Sequence, residues 1–239
     1  MRGDGLASED RLIERILTAR LLRCPAFHLG WIAVLVSFGW VVFARFLPPP
    51  RPAPTGYALA TIGTLLVFAP AVLKHSLSSS RTVEGGWVFF ATPTDRGHLA
   101  LAMRRVVAIR FLLPALLLLE MGAVLFSGRG IYWISAFSLF GGLSWLCLQV
   151  LFLCDPAIPF AGSRRVGKAQ LSRTFPEAVA MVLAPFAVGF GGPPLDRLCR
   201  QDASVVMAGA AILVAIAVGL EFPIRRAIPR KVESLEFAG

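Results

Sequence analysis

Residues 131–153 read IYWISAFSLFGGLSWLCLQVLFL, without one charged side chain. Laid out as an α-helix, such a run is long enough for the hydrocarbon core of a bilayer, which takes about 20 mostly apolar residues. In lipid a single segment can satisfy its own backbone hydrogen bonds only as a helix. This stretch therefore sets the expected fold class: an all-α, polytopic membrane helix bundle.

Working outward from it, five more apolar runs appear: Gly30–Leu47, Gly56–Leu73, Val106–Phe126, Thr174–Phe190 and Ala203–Phe222. The expectation is about six transmembrane helices. The Thr174–Phe190 run is the least apolar, since it contains Pro176, Glu177 and Pro185. Composition agrees with the runs: 56% of the 239 residues are hydrophobic, mean hydropathy is +0.70 and only 16% are charged. A soluble domain of ordinary make-up carries about 25% charged residues.

The connections alternate in character. PPPRPAPT, SGRG and GGPPLDRLCRQD are short and rich in helix breakers, and the others are longer and basic. Counted by side, 18 of the 24 Lys and Arg fall with the N-terminus, the second–third loop, the fourth–fifth loop and the tail. Five fall on the opposite side, and Arg110 lies within the third run. By the positive-inside rule both termini are expected in the cytoplasm, in a multi-pass protein of a bacterial inner membrane. The net charge of +10 then suits anionic lipid headgroups better than nucleic acid, because no aromatic-basic stripe stands apart from the runs.

Ahead of the first run, SEDRLIERILTARLLRCPAF places Leu12, Ile13, Ile16, Leu17, Leu21 and Leu22 on one helical face, with Arg11, Glu14, Arg15 and Arg20 elsewhere. Ser8 is the expected N-cap, Asp10 falls in the first turn and Pro25 ends the helix. A basic amphipathic helix beside a first span belongs in the headgroup plane, and the alternative is a short soluble helix packed on its own loops. The expected organisation is thus an N-terminal interfacial helix within residues 1–29, a six-span domain over 30–222 with a cytoplasmic loop at 75–105, and a basic tail over 223–239.

Motifs for chemistry are missing. The chain has no G-x-x-x-x-G-K-[ST] phosphate loop, no H-E-x-x-H and no G-x-S-x-G. Cys24, Cys147, Cys154 and Cys199 form no C-x-x-C and no metal-ligand spacing with His28, His75 or His98. The expectation is a non-enzyme with no cofactor and no metal. Arg110 and Glu120, both in the third run, are the intramembrane polar candidates, because ionisable groups in a bilayer are costly. Arg110 lies close enough to the end of its run to snorkel. Glu120 could line a polar cavity, pair with another span or carry a proton. Pro114, between them, is expected to kink the span. The small residues of MAGAAILVAIAVG, in the sixth run, allow close helix approach within the bundle or between copies.

The second–third loop holds the remaining pattern. Trp87, Phe89 and Phe90 precede a proline turn; Thr94 can cap a helix with Asp95 in its first turn, and the segment ends on Arg104 and Arg105. The product is a short basic helix at the cytoplasmic surface, joined to the third span; the alternative is a basic loop that only sets topology.

This layout resembles the transmembrane subunits of bacterial exporter-type ATP-binding-cassette transporters, the type-2 permease group. That family has six spans, an amphipathic helix before the first, and a cytoplasmic coupling helix between the second and third. In ATPTDRGHLALAMRR, Pro93, Thr94 and Arg96 match the proline, hydroxyl and basic residues that introduce the coupling helix. Arg104 or Arg105 stands where the family often has lysine. SEDRLIERILTARLLR is similar in position to the N-terminal interfacial helix, and GGPPLDRLCRQD takes the place of an outer re-entrant element while being short for it. The resemblance implies a homo- or heterodimeric permease that binds a separate ATP-binding subunit through Pro93, Thr94, Asp95, Arg96, Arg104 and Arg105. Two other readings stay open: a proton-coupled secondary transporter using Glu120, and a membrane scaffold or assembly protein.

Overall fold

The computed structural model describes residues 3–43, 54–78, 96–127, 129–154 and 192–233. Among the described residues every regular element is a helix. They are α1 (Gly3–Leu22), α2 (Pro25–Phe43), α3 (Pro54–Ser78), α4 (Arg96–Val107), a π-helical turn (Ala108–Leu112), α5 (Leu113–Ser127), α6 (Gly130–Cys154), α7 (192–201) and α8 (Ala203–Glu233). Four helices are long and apolar enough to cross a membrane, or five if the bent pair α1–α2 counts as one span. The expected fifth span, Thr174–Phe190, lies outside the described residues, as do Pro93, Thr94 and Asp95 of the loop motif.

Helix directions follow from side-chain contacts. Ser144 Oγ donates to the Leu66 carbonyl and Lys74 Nζ to the Leu151 carbonyl, so α3 and α6 run the same way. Gly142 lies against Leu213, and Gln149 reaches Glu221, so α8 is parallel to them. Gly30 faces the Phe111 ring and Gly122 faces Phe38, which sets α2 parallel to the α4–α5 helix. One end of the bundle therefore collects α1, the C-terminal ends of α3, α6 and α8, and the start of α4. We refer to this as the basic end.

Glycine makes the closest approaches possible. A Cβ on Gly142 would come within 3.1 Å of Leu213 Cβ, and one on Gly63 within 2.5 Å of the Phe140 ring. A mid-helix glycine costs about 1 kcal/mol relative to alanine, which the tighter packing of α6 on α8 and α3 offsets. Outward, α8 presents Val205, Ile212, Val214, Ile216, Val218 and Phe222. Water would not tolerate an apolar face of that size on a monomer, whereas a bilayer requires one.

Local chemistry departs from the sequence expectations at four places. First, α1 begins at Gly3, so Ser8 lies inside the helix and is not its cap. Its apolar face divides: Leu17 and Leu21 are buried in the bundle, while Ile16 and Leu22 point outward. Arg23 and Cys24 form the break, with a bend of 66°, and Pro25 opens α2 at a position where its missing N–H has no helical partner to lose.

Second, α4 is not a separate surface helix. It runs unbroken from Arg96 to Phe126 as one candidate span, with Leu99, Ala100, Ala102, Met103, Val106 and Val107 buried. The expected irregularity at Pro114 takes the form of the π turn just before it, where the Leu113 N–H bonds to the Ala108 carbonyl. In an α register the proline ring would strike the Arg110 carbonyl; widening the preceding turn by one residue moves that carbonyl aside.

Third, GGPPLDRLCRQD contains α7, and its prolines act as starters. Pro193 and Pro194 sit in the first turn, where backbone N–H groups are unpaired in any helix. Fourth, α8 continues past Phe222 to Glu233 through Pro223 and Pro229, burying Ile224 and Ile228 completely. Its extension packs on the first turn of α4: a Cβ on Gly97 would lie 2.7 Å from Pro229 Cβ.

Candidate functional site at the basic end

Arg104 sits one turn before the end of α4 and is turned into the bundle, its side chain only 12% exposed. Opposite it, Glu221 ends the apolar part of α8. The two form a bidentate pair, Nη1 to Oε2 at 2.8 Å and Nη2 to Oε1 at 2.5 Å. A guanidinium and a carboxylate in this fork arrangement gain orientation as well as attraction. Glu221 accepts a third bond from Arg225 Nε at 3.0 Å, one turn further along α8, and a fourth from Gln149 Nε2 of α6 at 3.4 Å. Three helices thus meet on one carboxylate.

Gln149 is itself buried, and its Oε1 has no hydrogen-bond partner. Turning the amide over would set that oxygen against Glu221, so the nitrogen-inward orientation is the one the carboxylate requires. Arg105, next to Arg104, reaches α1 instead and pairs with Glu14 at 2.8 Å. That pair is well exposed and holds its helices weakly. Together the two adjacent arginines tie α4 to α8 on one side and to α1 on the other.

Lys74, one of the basic residues counted with the second–third loop, is 2% exposed. Its ammonium donates to the Leu151 carbonyl at 3.2 Å and lies 5.7 Å from the centre of the Phe152 ring. The carbonyls of the last turn of α6 lack intrahelical donors, so a cation there completes the helix end.

The intramembrane candidates behave differently from this cluster. Arg110 lies on the π turn with its side chain exposed. Glu120 is partly buried at the edge of the outward face of α5, flanked by Leu116, Leu117 and Val124. Neither joins the Arg104–Glu221 cluster. Of the loop residues, Arg96 is the first residue of α4, Arg104 is engaged within the bundle and Arg105 is exposed. From the sequence, Glu14 reads only as part of the polar side of the N-terminal helix, and Glu221 and Gln149 are not singled out. One signal was available: Glu221 is an acid inside the sixth run, with Arg225 one helical turn on.

The far end holds a second, smaller network. Tyr132 at the start of α6 donates to Asp196 Oδ1 at 2.6 Å, and Arg200 donates to both Asp196 oxygens at 3.1 Å. Burial pushes the neighbouring Cys199 thiol up from its ordinary pKa. Among the described residues no group of His, Cys, Asp or Glu is placed to hold a metal ion.

Fold and site together define an α-helical bundle fit to span a membrane, with its principal ionic cluster at the end where α4 enters. Comparison with protein-family models, with curated proteins and with solved structures finds no match.

Proposed function

We propose that this protein is the permease-like membrane subunit of an ATP-driven exporter, set in a bacterial cytoplasmic membrane with both termini inside. In this reading a separate ATP-binding subunit presses on the start of α4, and the movement passes into the spans. The observation that carries the reading is the mechanical continuity of that segment. From Arg96 to Phe126 the helix is one body, and Arg104 fastens it to α8 through Glu221. A push on α4 would therefore move the third and last spans together. The resemblance adds a dimer and an ATPase partner to the proposal. Tagged protein purified from its native membrane in mild detergent should bring down a nucleotide-binding subunit. Recovery of the protein without one would sink the proposal.

One observation favours a second reading, proton-coupled transport through Glu120. This carboxylate has no hydrogen bond or ion pair among the described residues, although it lies well inside a span. In vesicles, Glu120→Gln should then abolish flux driven by a proton gradient. Under the ATP-driven reading the same change produces a modest defect at most.

A further inference from the structure

Beside the Arg104–Glu221 pair lies a cavity of about 320 Å³, open on one side, between α4, α6 and α8. That is the small end of the range of ligand pockets, about 300–1,000 Å³. Its lining is layered, and the layering is the same on all three helices. Arg104 and Arg105 on α4 lie nearer the basic end, and Ile109, in the π turn that follows, lies a turn deeper. On α6, Gln149 lies nearer that end and Trp145 a turn deeper. On α8, Arg225 and Glu221 come nearer and Val218 a turn deeper. Ile109, Trp145 and Val218 are each about half exposed or more, so the apolar wall continues outward along the bundle surface.

The polar layer has spare donors. Glu221 is already neutralised by Arg104 and Arg225. Arg105 uses only Nη1, on Glu14, and Arg225 only Nε, on Glu221, among the described residues. The other guanidinium nitrogens, donors by nature, are left for an incoming anion. The buried Gln149 oxygen lacks a donor among the described residues, and a buried acceptor left unmet is unfavourable. A hydroxyl beside the anion would supply one.

We propose that this cavity binds a phosphate ester carried by an anionic amphiphile, with the phosphate at Arg105 and Arg225, a neighbouring hydroxyl at Gln149, and the chain along Ile109, Trp145 and Val218. The proposal does not depend on an ATPase partner or on proton coupling. It needs only that the basic end lie at the level of the lipid headgroups.

The test uses the full chain in detergent micelles and follows Trp145 emission, taken as the difference between wild type and Trp145→Phe. Phosphatidylglycerol with brominated chains should quench it saturably, at about one-tenth or less of the mole fraction needed with brominated phosphatidylcholine. The double variant Arg105→Gln/Arg225→Gln keeps the Arg104–Glu221 pair and should lose that preference. Arg200→Gln, which removes one charge at the far end, should keep it. A competition arm separates the two sources of the phosphate. If millimolar glycerol 3-phosphate leaves quenching unchanged, the ligand is the lipid; if it displaces the lipid, the site belongs to free phosphate esters. Equal quenching by the two lipids, or an unchanged preference in the double variant, would overturn the proposal.

Discussion

The two ends of the bundle solve the same problem in opposite ways. At the far end, Asp196 is satisfied by Arg200, four residues away on the same short helix, and by Tyr132 of α6. At the basic end, Glu221 is satisfied by Arg104, 117 residues away in sequence, and Arg105 by Glu14, 91 away. The first arrangement pins a short helix onto its neighbour. The second ties the first, third and last parts of the chain into one unit where the resemblance places a coupling helix. The difference teaches where motion would be transmitted: a local pair holds one element, and a long-range pair makes separate elements move together.

Breaking the long-range pair should have the largest effect. Glu221→Gln removes the charge that faces a guanidinium only 12% exposed, leaving the guanidinium desolvated and unmatched. Loss of one partner of a fully buried pair costs about 3–5 kcal/mol; with Glu221 26% exposed, a loss of about 2–3 kcal/mol is expected. Thermal unfolding in detergent measures it. The double variant Arg104→Met/Glu221→Leu should recover most of that loss, because no buried charge is left unmatched; Arg225, which also loses Glu221, is 66% exposed and stays in water. If the single and double variants unfold alike, the pair is not what joins α4 to α8.

Gly97→Ala probes the same end through packing. The added methyl would meet Pro229 at both Cβ and Cα, and backbone cannot swing aside as a side-chain tip can. A destabilisation of about 1–3 kcal/mol is expected, the range for an overfilled contact. A neutral result would mean that the α8 extension does not rest on α4.

The apolar runs were legible because a bilayer imposes length and composition on each helix separately. Ile131–Leu153 and Ala203–Phe222 announce themselves without reference to any neighbour, and both lie in helices of the bundle. The pairing of Arg104 with Glu221 was not legible, since it depends on the register between two helices far apart in sequence. A basic pair such as Arg104–Arg105 reads as a surface feature until an acid is found opposite one member. Prolines misled for a related reason: their effect depends on position within a helix. Pro193 and Pro194 open α7, Pro114 is accommodated by the π turn before it, and Pro223 and Pro229 lie within α8. Arg110 and Glu120 were visible as charges in a run, but what faces them is a matter of tertiary structure.

At the far end a smaller effect is expected. Tyr132→Phe deletes one hydrogen bond to Asp196, and Asp196 keeps both bonds from Arg200. The net contribution of one such bond is about 1 kcal/mol, and its loss should appear as a correspondingly small fall in unfolding temperature. A loss as large as that of Glu221→Gln would erase the contrast between the two ends.

The smallest effect belongs to Arg105→Gln. Its partner Glu14 is 34% exposed and Arg105 itself 53%, so water and salt screen both members. Exposed pairs of this kind contribute about 0–1 kcal/mol, and stability should barely change. That near-silence gives the variant its use. Arg104 and Arg105 are neighbours on one helix, yet one is expected to set stability and the other to leave it alone. If Arg105→Gln unfolds like wild type but recovers less of the proposed ATP-binding subunit, the more exposed arginine serves that partner and the buried one serves the bundle. If it unfolds as early as Glu221→Gln, α1 is bound into the basic end as firmly as α8. The unit joined at the basic end then includes the N-terminal helix.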